Sequence, residues 1–306
     1  MIYTVTLNPT LDCFVRPGHF GMGEVCRYGG AAFLPGGKGV NVSLMLRALG
    51  AETTAAGIAA GFTGRELIRL LEESGCPCGF AELPKGQTRV NIKILPEGMP
   101  ETALNGSGPD ILPDDLLPLE RGTAALRPGD FLVLAGSLPG SLPADSYARL
   151  MVCAPEGVET VVDTSGPALT EAVKRGPFLV KPNLEELGEA FGVELRDAGE
   201  AEIYAGKLRD MGARNVAVTL GGGGAVLFTE DGRKLTAPPL PGREVSSVGA
   251  GDSFVAGFLY GWTESRDMEA ALHWAAAAGA ATAFSQGIAG GEQVRALFRR
   301  HFLIEN

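Results

Sequence analysis

The chemistry of this chain concentrates in Gly249-Ala-Gly-Asp252-Ser-Phe-Val-Ala-Gly257. Three small residues end in a carboxylate and an apolar run follows, so the spacing predicts a glycine turn opening a helix. The backbone N–H groups of Gly249, Ala250 and Gly251 would then converge with the positive end of that helix on one point. Such a nest suits the charge that develops on a transferring phosphoryl group, and an aspartate there can take the proton from an attacking hydroxyl. On spacing alone, Asp252 reads equally well as a helix N-cap.

Four other groups of residues invite the same question. Pro35-Gly-Gly37-Lys38-Gly-Val-Asn41 sets a turn, a cation and an amide just before a helix. It lacks the G-x-x-x-x-G-K-[ST] spacing of a phosphate loop, and its plain alternative is a glycine turn with a surface lysine. Thr219-Leu-Gly221-Gly-Gly-Gly224 ends a buried strand, where missing side chains admit a phosphate or a nucleotide ring. It is equally a tight β-turn, and it is not the G-x-G-x-x-G of a dinucleotide site. In Lys181-Pro-Asn183-Leu-Glu-Glu186, Asn183 and Glu186 share a face at a helix start. They are hard oxygen ligands suited to Mg²⁺ through water or phosphate, or simply a cap. Finally, Asp12 and the alternating Arg89, Asn91 and Lys93 offer groups for a sugar hydroxyl and a phosphate, or form a solvent face.

The elements that position these groups follow from periodicity. Residues 2–7 read as a strand, and a helix follows Gly39 and stops at Gly50. Thr63 and Glu66 have capping-box spacing. Thr88–Leu95 alternates as a half-wet strand. Phe131–Ala135, Glu159–Asp163, Phe178–Lys181 and Val216–Leu220 read as buried strands, separated by helical stretches near Pro143, after Asp163, from Leu184 and across 198–212. From Ala250 the chain looks helical throughout. Strands alternating with helices imply an α/β fold with a mainly parallel sheet covered on both faces. Residues 11–34 and 86–107 break that rhythm. They are expected to fold as one small β appendage on a main domain of residues 1–10, 35–85 and 108–306.

With 306 residues, 45% hydrophobic and 20% charged, the chain is long enough for one large domain. A net charge of −10 argues against sequence-independent nucleic-acid binding. Five scattered cysteines read as ordinary thiols of a reducing cytoplasm. The first residues do not form a signal peptide, and the uncharged run Ala270–Gly291 is too rich in Ala and Gly for a membrane span.

In order, Thr6-Leu-Asn-Pro-Thr-Leu-Asp12, Gly36-Gly-Lys-Gly-Val-Asn-Val42, Thr88-Arg-Val-Asn-Ile-Lys93, Gly136-Ser-Leu-Pro139, Asp163-Thr-Ser-Gly166, Lys181-Pro-Asn-Leu-Glu-Glu186 and Val248-Gly-Ala-Gly-Asp-Ser253 resemble the ribokinase-like (PfkB) carbohydrate kinases. The likeness is greatest to the branch of 1-phosphofructokinase and tagatose-6-phosphate kinase. It implies a three-layer ribokinase-like sandwich with a small β-sheet lid, and a homodimer through that lid. It implies ATP and Mg²⁺, and transfer of a phosphoryl group to a phosphosugar, with no nucleic acid or membrane as partner. Asp252 would be the base, with Gly249, Ala250 and Gly251 as anion hole. Asp12, Gly37, Lys38, Asn41 and Asn91 would hold the sugar, and Arg89 its phosphate. Lys181, Asn183, Thr219, Gly221 and Gly224 would bind the nucleotide, with Glu186 organising Mg²⁺. The chain departs from the family pattern at Leu104 and at Gln286-Gly-Ile-Ala-Gly-Gly291.

Overall fold

A computed structural model describes residues 1–303. Its large sheet grows from the amino-terminal strand β1 (Ile2–Thr6), buried along its whole length as expected of a strand covered on both faces. The chain then builds half of a second sheet with β2 (Thr10–Pro17) and β3 (Tyr28–Gly36). It returns through α1 (Lys38–Ala48), β4 (Thr53–Ala60), α2 (Gly61–Glu73) and β5 (Cys78–Leu83). β6 (Arg89–Ile94) and β7 (Thr102–Asn105) complete the second sheet. The large sheet continues with α3 (Leu117–Ala124), β8 (Phe131–Ala135), α4 (Ser146–Cys153), β9 (Glu159–Asp163), α5 (Gly166–Val173), β10 (Leu179–Val180), α6 (Leu184–Phe191), α7 (Ala198–Asp210) and β11 (Asn215–Thr219). β12 (Ala225–Phe228), β13 (Lys234–Ala237), α8 (Ala250–Ser265), α9 (Met268–Ala283) and α10 (Gly291–Phe302) close the chain.

The nine strands lie in the order β13-β12-β11-β10-β9-β8-β1-β4-β5. The seven from β11 to β5 are parallel, and β12 and β13 add an antiparallel edge that periodicity did not reveal. Two cores flank the sheet. One joins it to Tyr147, Leu169, Leu187 and Leu208 of α4–α7. The other joins it to Met45 of α1, Phe258 of α8, Ala278 of α9 and Val294 of α10. From β1 the strand order runs one way through β4 and β5 and the other way through β8 and its successors. The carboxyl ends of the strands at this reversal form the crevice where parallel sheets bind ligands.

The second sheet has the order β3-β2-β6-β7. β2 runs antiparallel to β3 and parallel to β6, which sets Thr10 beside Arg89 and Asp12 beside Asn91. Its edge strand β3 is exposed along most of its length.

Two local expectations change. The capping box at Thr63 and Glu66 does not form, because α2 starts earlier, at Gly61. Thr63 Oγ1 instead donates to the Thr88 carbonyl at 2.7 Å, tying α2 to the start of β6. The carboxy-terminal region is three helices, interrupted at Arg266–Asp267 and over 284–290. The uncharged stretch is α9 and the turn after it. α9 packs on α8 so closely that a Cβ on Gly257 would lie 2.5 Å from the Trp274 carbonyl. Among the described residues no helix is long and apolar enough to cross a membrane.

Candidate active site

The sixteen residues to which the resemblance gives a role, and Lys93 with them, line one cleft of about 610 Å³, between the carboxyl ends of the parallel strands and the second sheet. α1 begins on Gly37, whose φ of 113° allows the chain to turn sharply from β3 into the helix. The turn puts Lys38 at the first helical position and Asn41 one turn on. β10 delivers Lys181, and the first turn of α6 delivers Asn183 and Glu186. β11 ends on Thr219, followed by the Gly221–Gly223 turn.

The cations and acids of the cleft floor are interlocked. Lys38 Nζ donates to Asp163 Oδ1 at 2.8 Å and to Glu186 Oε1 at 2.6 Å. Burial opposes the Lys38 charge, but these two carboxylates outweigh it and hold the ammonium above the ordinary lysine range. Lys181 Nζ lies 3.3 Å from Asp163 Oδ1 and 3.7 Å from Glu186 Oε2. Lys38 and Lys181 therefore share the same two carboxylates. Asn183 and Glu186 do form a cap: Glu186 N–H donates to Asn183 Oδ1 at 2.7 Å, and Asn183 N–H to Glu186 Oε2 at 2.9 Å. The cap fixes Glu186 with its Oε1 on Lys38, so the capping reading of this pair holds.

Asp252 stands in the first turn of α8, 6% exposed. Gly249 precedes it in the left-handed region, with φ 79°. Asn41 Nδ2 donates to Asp252 Oδ2 at 2.7 Å, so Asn41 orients the carboxylate. Burial, and then the charge of Asp163, push the Asp252 carboxyl up to about 7, against the pull of Lys38, Asn41 and Lys181. Of the expected anion-hole amides, Ala250 N–H is drawn to the Ser247 carbonyl at 3.2 Å. Those of Gly249 and Gly251 have no acceptor among the described residues and remain free for an anion at the helix start.

The second sheet closes the other end. Thr10 Oγ1 donates to Asp12 Oδ1 at 3.1 Å, and burial raises the Asp12 carboxyl despite the nearby cations. Arg89 is aimed by the Asn8 carbonyl, to which Nε and Nη2 donate at 3.2 and 2.9 Å. Asn91 Oδ1 accepts from Gly106 N–H at 3.2 Å. Arg89, Asn91 and Lys93 alternate onto the cleft face, as the strand period requires.

At the far end, Thr219, Gly221 and Gly224 face a wall of Pro238, Pro239, Leu240, Ala280 and Phe284. Gly224 has φ 85°, and a Cβ there would lie 2.2 Å from the Ala237 carbonyl. Sequence reasoning missed this wall, which carries no motif. It also assigned no role to Asp163, although its carboxylate ends a strand in one of the recognised stretches.

The cleft thus has a buried base and free helix-start amides at its centre, a lysine pair on one side and a guanidinium at one end. These groups suit proton removal from a hydroxyl and stabilisation of transferring negative charge. Among the described residues, no cluster of three or more His, Cys, Asp or Glu could hold a metal ion. Glu186 is already engaged by Lys38 and its own cap. The donor set therefore fits a Mg²⁺ carried mainly by phosphate and water, with Glu186 touching it at most through water.

The model of the pfkB family of carbohydrate kinases matches residues 17–293. The chain is 41% identical over 298 residues to a 1-phosphofructokinase of Bacillus subtilis, covering 97% of each chain. It is 36% identical over 290 residues to a D-tagatose-1-phosphate kinase of Bacillus licheniformis, covering 94% of each. Its fold is similar to that of phosphofructokinase-2 from Escherichia coli, solved in complex with potassium, with a TM-score of 0.92, 30% identity and 98% of each chain covered.

Proposed function

Because the chain belongs to the pfkB family of carbohydrate kinases, we propose that it transfers the γ-phosphoryl group of ATP to fructose 1-phosphate, giving fructose 1,6-bisphosphate and ADP. One observation carries the mechanism: a buried carboxylate, Asp252, held by Asn41 at 2.7 Å beside the amino terminus of α8. The 6-hydroxyl of the sugar lies against Asp252. As its oxygen bonds to the γ-phosphorus and the bond to the β-phosphate oxygen breaks, the hydroxyl proton passes to Asp252. The amides of Gly249 and Gly251 and the ammonium groups of Lys38 and Lys181 oppose the charge spread over the phosphoryl oxygens. Asp12 and Asn91 take sugar hydroxyls, and Arg89, with Lys93, takes the phosphate already present. Thr219, Gly221, Gly224 and the apolar wall hold the nucleotide. Asn183 and Glu186 would hold Mg²⁺ through water, and the ion when bound would neutralise the nucleotide phosphates.

The likeness to a D-tagatose-1-phosphate kinase favours a second reading, the same transfer to tagatose 1-phosphate. Coupled ADP release with ATP and a panel of ketohexose phosphates separates the two. Absence of turnover with every phosphosugar, despite saturable binding, sinks the kinase reading and leaves a sensor.

The second sheet is proposed as a lid over the sugar. It is also the surface proposed to pair two copies, since Tyr28, Phe33, Leu34 and Leu104 are exposed there. Sedimentation of Phe33→Asp against the parent chain tests this. Five free thiols and phosphorylated substrates fit a cytoplasmic place of action.

A further inference from the structure

Asp163 lies beneath the cleft rather than in its wall. It ends β9, has no exposed surface and does not line the cavity. Yet its Oδ1 meets both lysine ammonium groups, Lys38 at 2.8 Å and Lys181 at 3.3 Å. Its Oδ2 is buried with no hydrogen-bond partner among the described residues. Glu186 takes the same two lysines from the other side, at 2.6 and 3.7 Å. Lys38, Asp163, Lys181 and Glu186 therefore close a ring of alternating charge with no net sign.

Asp252 stands beside this ring. A Cβ placed on Gly251, the residue before it, would lie 3.5 Å from Lys181 Nζ. Without Asp163 the two ammonium groups would keep only Glu186 against them, and the one net positive charge left would draw the proton from a neighbouring carboxyl and leave a weaker base, whereas a second carboxylate has the opposite effect. The charges acting on Asp252 have these signs: Asp163 strengthens its hold on a proton, and Lys38 and Lys181 weaken it.

We propose that Asp163 is a positioning residue of the transfer step: it clamps Lys38 and Lys181 into the cleft and, by opposing their charge from below, keeps Asp252 basic enough to accept a hydroxyl proton. The inference rests on the kinase reading only for the role of Asp252.

The test compares the pH dependence of kcat/KM for the phosphosugar in Asp163→Asn, Asp163→Glu and Lys181→Met. Ionisation of the substrate phosphate, near pH 6, is common to all and cancels in the comparison. Asp163→Asn should move the acid limb down by about one pH unit or more and lower the plateau. Asp163→Glu should keep the limb in place, and Lys181→Met should move it up. An unmoved limb in folded Asp163→Asn, or a downward shift in Lys181→Met, overturns the proposal. NMR titration of the Asp252 carboxyl carbon without substrate reads the same shifts independently of turnover. That measurement separates failure of this inference from failure of the kinase reading. Circular dichroism and Tm establish folding. If Asp163→Asn does not fold, Asp163→Ser, which removes the same charge with a smaller side chain, carries the same prediction, and an unmoved limb there overturns the proposal.

Discussion

Asn41→Ala removes the hydrogen-bond partner of the Asp252 side chain. The bond is short, at 2.7 Å, charge-assisted and largely shielded from water. A hydrogen bond to a charged group contributes about 1.5–3 kcal/mol. If it is made while Asp252 receives the proton, its loss lowers kcat roughly 10- to 100-fold, at about 1.4 kcal/mol per decade. The same bond holds the Asp252 pKa down, so its removal also moves the acid limb of activity to higher pH. Coupled ADP release, with the phosphosugar and ATP varied separately, measures kcat and each KM. A fall in kcat with little change in the phosphosugar KM is expected. An unchanged kcat with a KM raised tenfold would refute the reasoning and return Asn41 to the sugar.

Arg89→Ala should raise KM for the phosphosugar roughly 10- to 100-fold through the loss of charge-assisted bonds to its phosphate. A rise in the ATP KM instead would mean that the two ends of the cleft are reversed. Activity of the unaltered chain should climb with pH through a limb near 7, because only the ionised Asp252 accepts a proton and its carboxyl is raised to about 7. A rate flat between pH 5 and 8, relative to substrate ionisation, would contradict that. Gly224→Ala forces a side chain into a φ of 85° and against the Ala237 carbonyl at 2.2 Å. Weaker ATP binding and a Tm lowered by several degrees are expected, measured by calorimetry with and without nucleotide.

What could be read in the sequence was whatever depends on near neighbours. Glycine turns before helices, the Asn183–Glu186 cap and the alternation of Arg89, Asn91 and Lys93 are short-range patterns, and the fold kept each of them. Pairings across the chain were not legible. Nothing local says that Asn41 reaches Asp252, 211 residues away, or that Lys38 reaches Asp163 and Glu186. Those contacts exist because the parallel strands all end at one edge. The same cause hid the role of Asp163: its stretch was recognised, but nothing local says that its carboxylate meets Lys38 and Lys181. The Thr63–Glu66 pattern failed for the converse reason: Thr63 Oγ1 found a partner in the Thr88 carbonyl, which local spacing cannot anticipate. β12 and β13 were missed because Ala225–Phe228 and Lys234–Ala237 are too short to show a period.

The central claim is that Asp252 takes the hydroxyl proton, and Asp252→Asn tests it most directly. The amide keeps the shape of the side chain and removes the base. Saturable binding of ATP and fructose 1-phosphate should persist by calorimetry, while ADP release falls roughly 10²-fold or more. An unchanged kcat would remove Asp252 from the reaction.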